Sequence, residues 1–183
     1  MAVHSILNKR DIRHILEKYN IGKLIKYKGI KEGIENTNYL ITTEVNKYIL
    51  TIFEKRVRKN DLPFYFQLMQ ETLNKNVNCP IVLSKIDQNT TFSINKKKAA
   101  IFSFINGKCL KNWTRINCFD VGKVLGKFHT GNYKFIKKKR NNFSIKYWED
   151  LYEKCLKKIN LILPNSQDII LREIKYLKEK WNK

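Results

Sequence analysis

Tyr27-Lys28-Gly29-Ile30-Lys31-Glu32-Gly33-Ile34-Glu35-Asn36-Thr37-Asn38-Tyr39 is the stretch on which the fold turns. Residues 23–31 read as a strand that closes on Gly29 and Gly33, and residues 38–43 read as a second strand. Glu44-Val45-Asn46 turns the chain, and residues 47–54, KYILTIFE, form a third strand of β-branched and aromatic residues. Three strands with short connections predict an antiparallel meander. Upstream, Asn8 caps a helix with Ile12, Ile15, Leu16 and Tyr19 on one face, and Gly22 stops it. Downstream, Asp61 caps a second helix that carries Pro63 in its first turn and Phe64, Leu68, Met69 and Leu73 at helical spacing. Cys79-Pro80 opens a strand over 81–86, Asp87-Gln88-Asn89 turns, and strands follow at 91–94 and 99–105.

From Gly107 the periodicity is helical. Thr114 caps a helix over 115–129, and Ser144 caps one over 145–161 that buries Trp148, Leu151, Tyr152, Cys155, Leu156 and Ile159. Pro164 and Asn165 break the chain. Ser166 begins a last helix with Ile169, Ile170, Ile174, Leu177 and Trp181 apolar. The expected class is α+β and bilobal: an antiparallel-sheet lobe over 1–105, then a hinge near 102–107 and helices over 106–183. That is the plan of a kinase.

The composition narrows the function. The chain has 183 residues and a formal net charge of +21, from 37 Lys and Arg against 16 Asp and Glu. With 43% hydrophobic residues, 7 Gly and 3 Pro, it has the apolar content of a folded domain. No apolar run reaches the roughly 20 residues of a membrane span, and no signal peptide is visible, so a cytoplasmic protein without a membrane partner is expected. The arginines are Arg10, Arg13, Arg56, Arg58, Arg115, Arg140 and Arg172, and every other basic residue is Lys. Abundant Lys, Asn and Ile are the signature of AT-rich coding. A nucleic-acid binder favours the bidentate Arg fork, so no nucleic-acid partner is expected. The run Lys137-Lys138-Lys139-Arg140 reads as a solvated loop. Cys79, Cys109, Cys118 and Cys155 are scattered, which suits reduced, mostly buried thiols rather than a metal site.

The opening stretch resembles the nucleotide-covering hairpin of the aminoglycoside phosphotransferase and choline kinase superfamily. Residues 48–56 (YILTIFEKR), Asp61-Leu62-Pro63-Phe64, Asn78-Cys79-Pro80 and residues 99–107 (AAIFSFING) follow in an order similar to the homoserine kinases of that superfamily. These are unrelated to the galactokinase-type homoserine kinases. Residues 121–129 (VGKVLGKFH), the Trp148 region and residues 171–181 extend the resemblance over nearly the whole chain.

The resemblance implies a bilobal protein-kinase-like fold that moves the ATP γ-phosphate to the hydroxyl of L-homoserine, a step of threonine biosynthesis. It implies a nucleotide lid with Gly29, Gly33, Asn36 and Asn38, where glycines let backbone approach phosphate; an ordinary hairpin turn would also use them. Thr51 stands where many relatives place the phosphate-holding cation. Side chains alternate along a strand, so Thr51, Phe53 and Lys55 share one face and Lys55 is the candidate, with a solvated lysine as the alternative. Glu71 is the candidate carboxylate partner, although Gln70 aligns with the family's acid. Ser103, Phe104 and Ile105 would offer backbone groups to adenine, and His129 reads as a packing residue.

The catalytic loop of such kinases has a His, an Asp two residues on and an Asn further along, then a metal-binding Asp. Here His4 is followed at that offset by Ile6, His14 by Leu16 and His129 by Gly131. No catalytic residue or metal ligand is therefore assigned. Magnesium ligands are expected outside these residues, and the helical lobe is expected to be incomplete. The chain is expected to be an amino-terminal portion, inactive alone, with Trp148, Tyr152, Ile170, Leu177 and Trp181 partly exposed. Three readings compete: a kinase of another hydroxyl acceptor such as choline or an aminoglycoside, a basic nucleic-acid-binding module, and a non-catalytic remnant that binds a partner.

Overall fold

A computed structural model describes residues 3–55, 57–107, 110–132, 139 and 144–181. Arg56, Cys109, the basic run at 137–140 apart from Lys139, and the Trp181 side chain lie outside them. The chain divides into two compact units, 1–137 and 138–183.

The first unit is built on a five-stranded antiparallel sheet of spatial order β1-β2-β3-β5-β4. The strands are β1 (Leu24–Ile30), β2 (Thr37–Thr43), β3 (Lys47–Ile52), β4 (Phe92–Ile94) and β5 (Lys97–Ser103). The meander stands as read. Along β2 the side chains Thr37, Tyr39, Ile41 and Thr43 are buried while Asn38, Leu40 and Thr42 are half-buried, which is the period-two alternation of a strand packed on both faces.

Helix α1 (Lys9–Leu16) covers one face of the sheet. Its start is a reciprocal cap: Asn8 Oδ1 accepts from the Asp11 N–H at 3.0 Å and Asp11 Oδ2 from the Asn8 N–H at 2.9 Å. Ile12, Ile15 and Leu16 then meet Tyr39, Ile41, Leu50, Ile52 and Ile101 in one core. Ile12, Ile41, Leu50, Ile52 and Ile101 are wholly buried, each contributing about 1.5–3 kcal/mol of apolar burial. Gly22 has φ +81°, and a Cβ there would lie 2.8 Å from Val45 Cγ2, so the return from α1 into β1 requires glycine.

The extended segment ahead of α1 is pinned to the same face. Thr37 Oγ1 accepts from the His4 and Ser5 N–H groups at 2.9 and 3.1 Å. The Tyr39 hydroxyl donates to the Ser5 carbonyl at 2.8 Å and accepts from the Leu7 N–H at 2.9 Å. Glu54 anchors the end of this network. Its Oε1 accepts from Ser5 and Thr37 hydroxyls, both at 2.8 Å, and its Oε2 pairs with Lys97. Burial alone would raise the Glu54 carboxyl, but hydrogen bonds from Lys97, Ser5 and Thr37 and the Lys97 charge outweigh it and hold the group below its ordinary value.

Helix α2 (Leu62–Asn74) packs on the opposite face. Phe66 bridges it to the sheet, with ring centroids 6.4 Å from Phe53 and 5.9 Å from Phe102. Pro63 sits in the first turn as expected, but Asp61 makes no side-chain cap; a 3₁₀ turn (Lys59–Asp61) leads into the helix instead. Three strand limits are also corrected. β3 ends at Ile52 rather than 54, and Glu54 is drawn into the network around Ser5. β5 runs over Lys97–Ser103, two residues earlier than expected. Residues 81–86 are not a strand: a single bridge joins Val82 to Phe102, flanked by the Leu83 N–H to Ile101 carbonyl and Ser103 N–H to Ile81 carbonyl bonds. β4 occupies the other half of that β5 edge, so only a short length is left to pair.

Helix α3 (Arg115–Asn132) completes the unit beside α2. Thr114 caps it, exchanging hydrogen bonds with Asn117 at 3.1 and 3.3 Å. Phe128 faces Thr72 and Cys79, and a Cβ at Gly131 would come 3.0 Å from Lys75 Cβ. Most of α3 is exposed, with Ile116, Phe119, Val121, Val124 and Leu125 open to solvent.

The second unit is an antiparallel helix pair, α4 (Ile145–Ile162) and α5 (Gln167–Trp181). Lys178 pairs with Glu149 at one end, and Ile159 meets Ile170 toward the other. Ser144 stands at the start of α4 without a side-chain cap bond, and Asn165 takes a left-handed φ of +68° between the helices. Ile174 is buried. Trp148, Tyr152, Ile170 and Leu177 are half-buried, while Leu151 and Leu161 are exposed. Leu151 is thus not on the buried side expected of it.

Candidate nucleotide-binding site

The α2 face of the sheet is the one left partly open. Paired residues share a face, so the register places Lys28, Leu40, Ile49 and Phe102 in one row and Ile30, Asn38, Thr51 and Ala100 in the next. α2 covers the Phe102 side. Leu40 and Ile49 stay half-buried and Lys28 is exposed, so the β1–β2 side offers an apolar wall with a basic margin. The Thr51 hydroxyl, 8% exposed, donates to Asn38 Oδ1 at 2.8 Å. A neutral hydroxyl–amide pair therefore stands at this position of β3.

The β1–β2 connection spans 31–36 and is exposed except at Asn36. Gly33 has φ +119°, a conformation that only glycine adopts readily. Asn36 Oδ1 accepts from the Glu54 N–H at 3.3 Å, tying the turn to the end of β3. Gly29 faces the other way. A Cβ there would lie 3.1 Å from Val3 Cγ2, so the amino-terminal segment packed over Gly29 leaves little room for a side chain. Asn36, Glu35, Phe53, Phe66 and Phe102 line a cleft of about 380 Å³ between the sheet and α2.

Lys55 lies beyond the end of β3. With β3 ended at Ile52, alternation does not reach it, and Lys55 lies exposed in a turn that borders a second groove. Glu71 is half-buried on α2 and Gln70 is exposed, its amide donating to Asn74 at 3.2 Å. Among the described residues no ion pair joins Lys55 to Glu71. Ser103 ends β5; its N–H is taken by Ile81 and its hydroxyl accepts from the Ile81 N–H at 2.9 Å. Phe104 is half-buried with the Lys47 ammonium 5.7 Å over its ring, and Ile105 is exposed. His129 is exposed rather than packed. Sequence reasoning missed the Thr51–Asn38 pair, although a Thr and an Asn facing each other on adjacent strands carry that signal once the register is known.

Among the described residues no three His, Cys, Asp or Glu side chains gather to hold a metal ion. These residues do not fit a magnesium site, and no step is derived through one. No helix among them is long and apolar enough to cross a membrane.

The model of the phosphotransferase enzyme family matches residues 26–183. The chain belongs to that family. Over its whole length it is 37% identical to a homoserine kinase of Rhizobium rhizogenes and 36% identical to one of Agrobacterium fabrum, covering 57% of each. A homoserine kinase of Rhodopseudomonas palustris is 33% identical over 177 residues, 97% of this chain and 54% of that protein. The chain thus spans little more than half the length of these relatives. Among solved structures, a spectinomycin phosphotransferase in complex with ADP and spectinomycin matches with a TM-score of 0.54 at 12% identity, over 92% of this chain and 59% of that one. The family member accordingly has the aminoglycoside-phosphotransferase fold, with its antiparallel sheet and following helices.

Proposed function

We propose that the chain forms the nucleotide-binding part of a homoserine kinase, which transfers the γ-phosphate of ATP to the side-chain hydroxyl of L-homoserine in the cytoplasm. The observation that carries this reading is the end-to-end similarity to homoserine kinases at 33–37% identity. The geometry supports the nucleotide half of it. The half-buried wall of Leu40 and Ile49 suits a planar base, and the Gly33 turn with Asn36 and Asn38 lies at the end of the sheet where phosphates would be covered. Phe104 and Ile105 follow β5 as the edge that meets the base, while the Ser103 N–H already has its partner.

The chemistry of such transfer is mostly positioning and charge neutralisation. These 183 residues contain no His-x-Asp motif to orient the hydroxyl. The chain alone is therefore expected to bind ATP without turning over. ADP release is measured with ATP, magnesium and L-homoserine, first with the chain alone and then with the remaining carboxy-terminal part of the Rhizobium rhizogenes relative added. Homoserine-dependent release only in the second case supports the reading. Release with choline or an aminoglycoside but not homoserine would replace the acceptor.

A further inference from the structure

We propose that the groove at the β4–β5 turn is a second binding site, adjoining the nucleotide cleft, for a small organic phosphate. It is lined by Lys55, Lys59, Lys96, Lys97 and Lys98 with a single carboxylate, Glu54, over a floor of Phe53, Val57 and Leu62. Glu54 is already committed to Lys97, Ser5 and Thr37 on the α1 side of the sheet. Among the described residues no carboxylate pairs with Lys55, Lys59, Lys96 or Lys98. Four lysines without a carboxylate partner among the described residues thus line a groove over one apolar floor.

The backbone supports a purpose for this arrangement. Asn95 and Lys96 both take left-handed φ angles, +48° and +65°, as a two-residue hairpin turn demands. Glycine is the residue that fits the second position without strain, yet a lysine stands there. The Lys59 ammonium donates to the Lys96 carbonyl at 3.3 Å, which gathers the two lysines across the groove. Compositional drift toward Lys accounts for scattered surface charge but not for lysines converging on a concave floor.

The dimensions choose the ligand. The groove holds about 220 Å³, room for a phosphorylated metabolite. Ammonium groups recognise phosphate oxygens as point charges, and the Phe53, Val57 and Leu62 floor suits an apolar body. The same three residues also line the cleft that contains Glu35 and Asn36 of the β1–β2 turn. The groove therefore shares a wall with the nucleotide cleft.

The test is titration of the full chain with inorganic pyrophosphate, followed by calorimetry, for the wild type, Lys59→Gln/Lys98→Gln, Lys96→Gly, and a charge-matched control, Lys123→Gln/Lys127→Gln on α3. The expected result is at least a tenfold loss of pyrophosphate affinity in the groove double variant and a severalfold loss in Lys96→Gly, whose turn should fold at least as well. The control should bind as the wild type does, and ATP affinity should change less than twofold throughout. Absence of pyrophosphate binding, an equal loss in the control, no loss in either groove variant, or a parallel loss of ATP affinity would each overturn the proposal.

Discussion

The two faces of the sheet differ in how they are finished. The α1 face is sealed: Tyr39, Ile41, Leu50, Ile52, Ala99 and Ile101 are buried under α1 and the amino-terminal segment, and Ser5 and Thr37 are bonded to Glu54 at its edge. The α2 face is closed where Phe66 meets Phe53 and Phe102, and Leu40 and Ile49 remain half-open beside it. One face is therefore where stability resides, and the other is where a ligand can be admitted. Substitutions should separate the two.

The largest effect belongs to the sealed face. Leu50→Ala removes a wholly buried side chain and should cost about 2–5 kcal/mol in denaturant unfolding. Leu40→Ala, ten residues away on the half-open face, should cost clearly less. Equal costs would erase the distinction between the faces. Gly22→Ala comes next, because it meets Val45 at 2.8 Å in a left-handed conformation; a loss of about 1–3 kcal/mol is expected.

Glu54→Gln should cost about 1–3 kcal/mol at neutral pH by weakening the bonds to Lys97, Ser5 and Thr37. The folded-state carboxyl lies below its ordinary value of 4.5, so its contribution is fully present above that value and lost as pH falls through the lowered one. The gap between wild type and Glu54→Gln should accordingly close on acidification, and a gap that widened would contradict the assignment. Gly29→Ala should cost about 1 kcal/mol or less, and Val3→Ala should relieve it if Val3 is the clashing group. The smallest effect is a gain. The buried Tyr19 hydroxyl has no hydrogen-bond partner among the described residues, and burial and then the Asp87 charge push its phenol upward. Tyr19→Phe should be neutral or stabilise by up to about 1 kcal/mol.

The meander, the Asn8 cap and the order of helices were legible because alternation and capping are local. What was not legible depended on distant partners. β3 stops at Ile52, and Glu54 just beyond it is claimed by Ser5, forty-nine residues away in sequence, so strand alternation does not extend to Lys55. Residues 81–86 have strand-like composition, but β4 occupies half of the edge they would pair with. Gly29 looked like a phosphate glycine and is also crowded by Val3, a contact that no spacing reveals. On the helices, periodicity marked Val121, Val124 and Leu125 as apolar without telling that they would stay exposed in this chain.

ATP binding to two variants tests the central claim most directly, with melting curves as the control. Ile49→Asp alters the half-open wall, and Ile41→Val trims the sealed core. The account predicts at least a tenfold loss of ATP affinity for Ile49→Asp with the fold retained, and near wild-type affinity for the less stable Ile41→Val. Unchanged ATP affinity in a folded Ile49→Asp chain, or no ATP binding by the folded wild type, would contradict it.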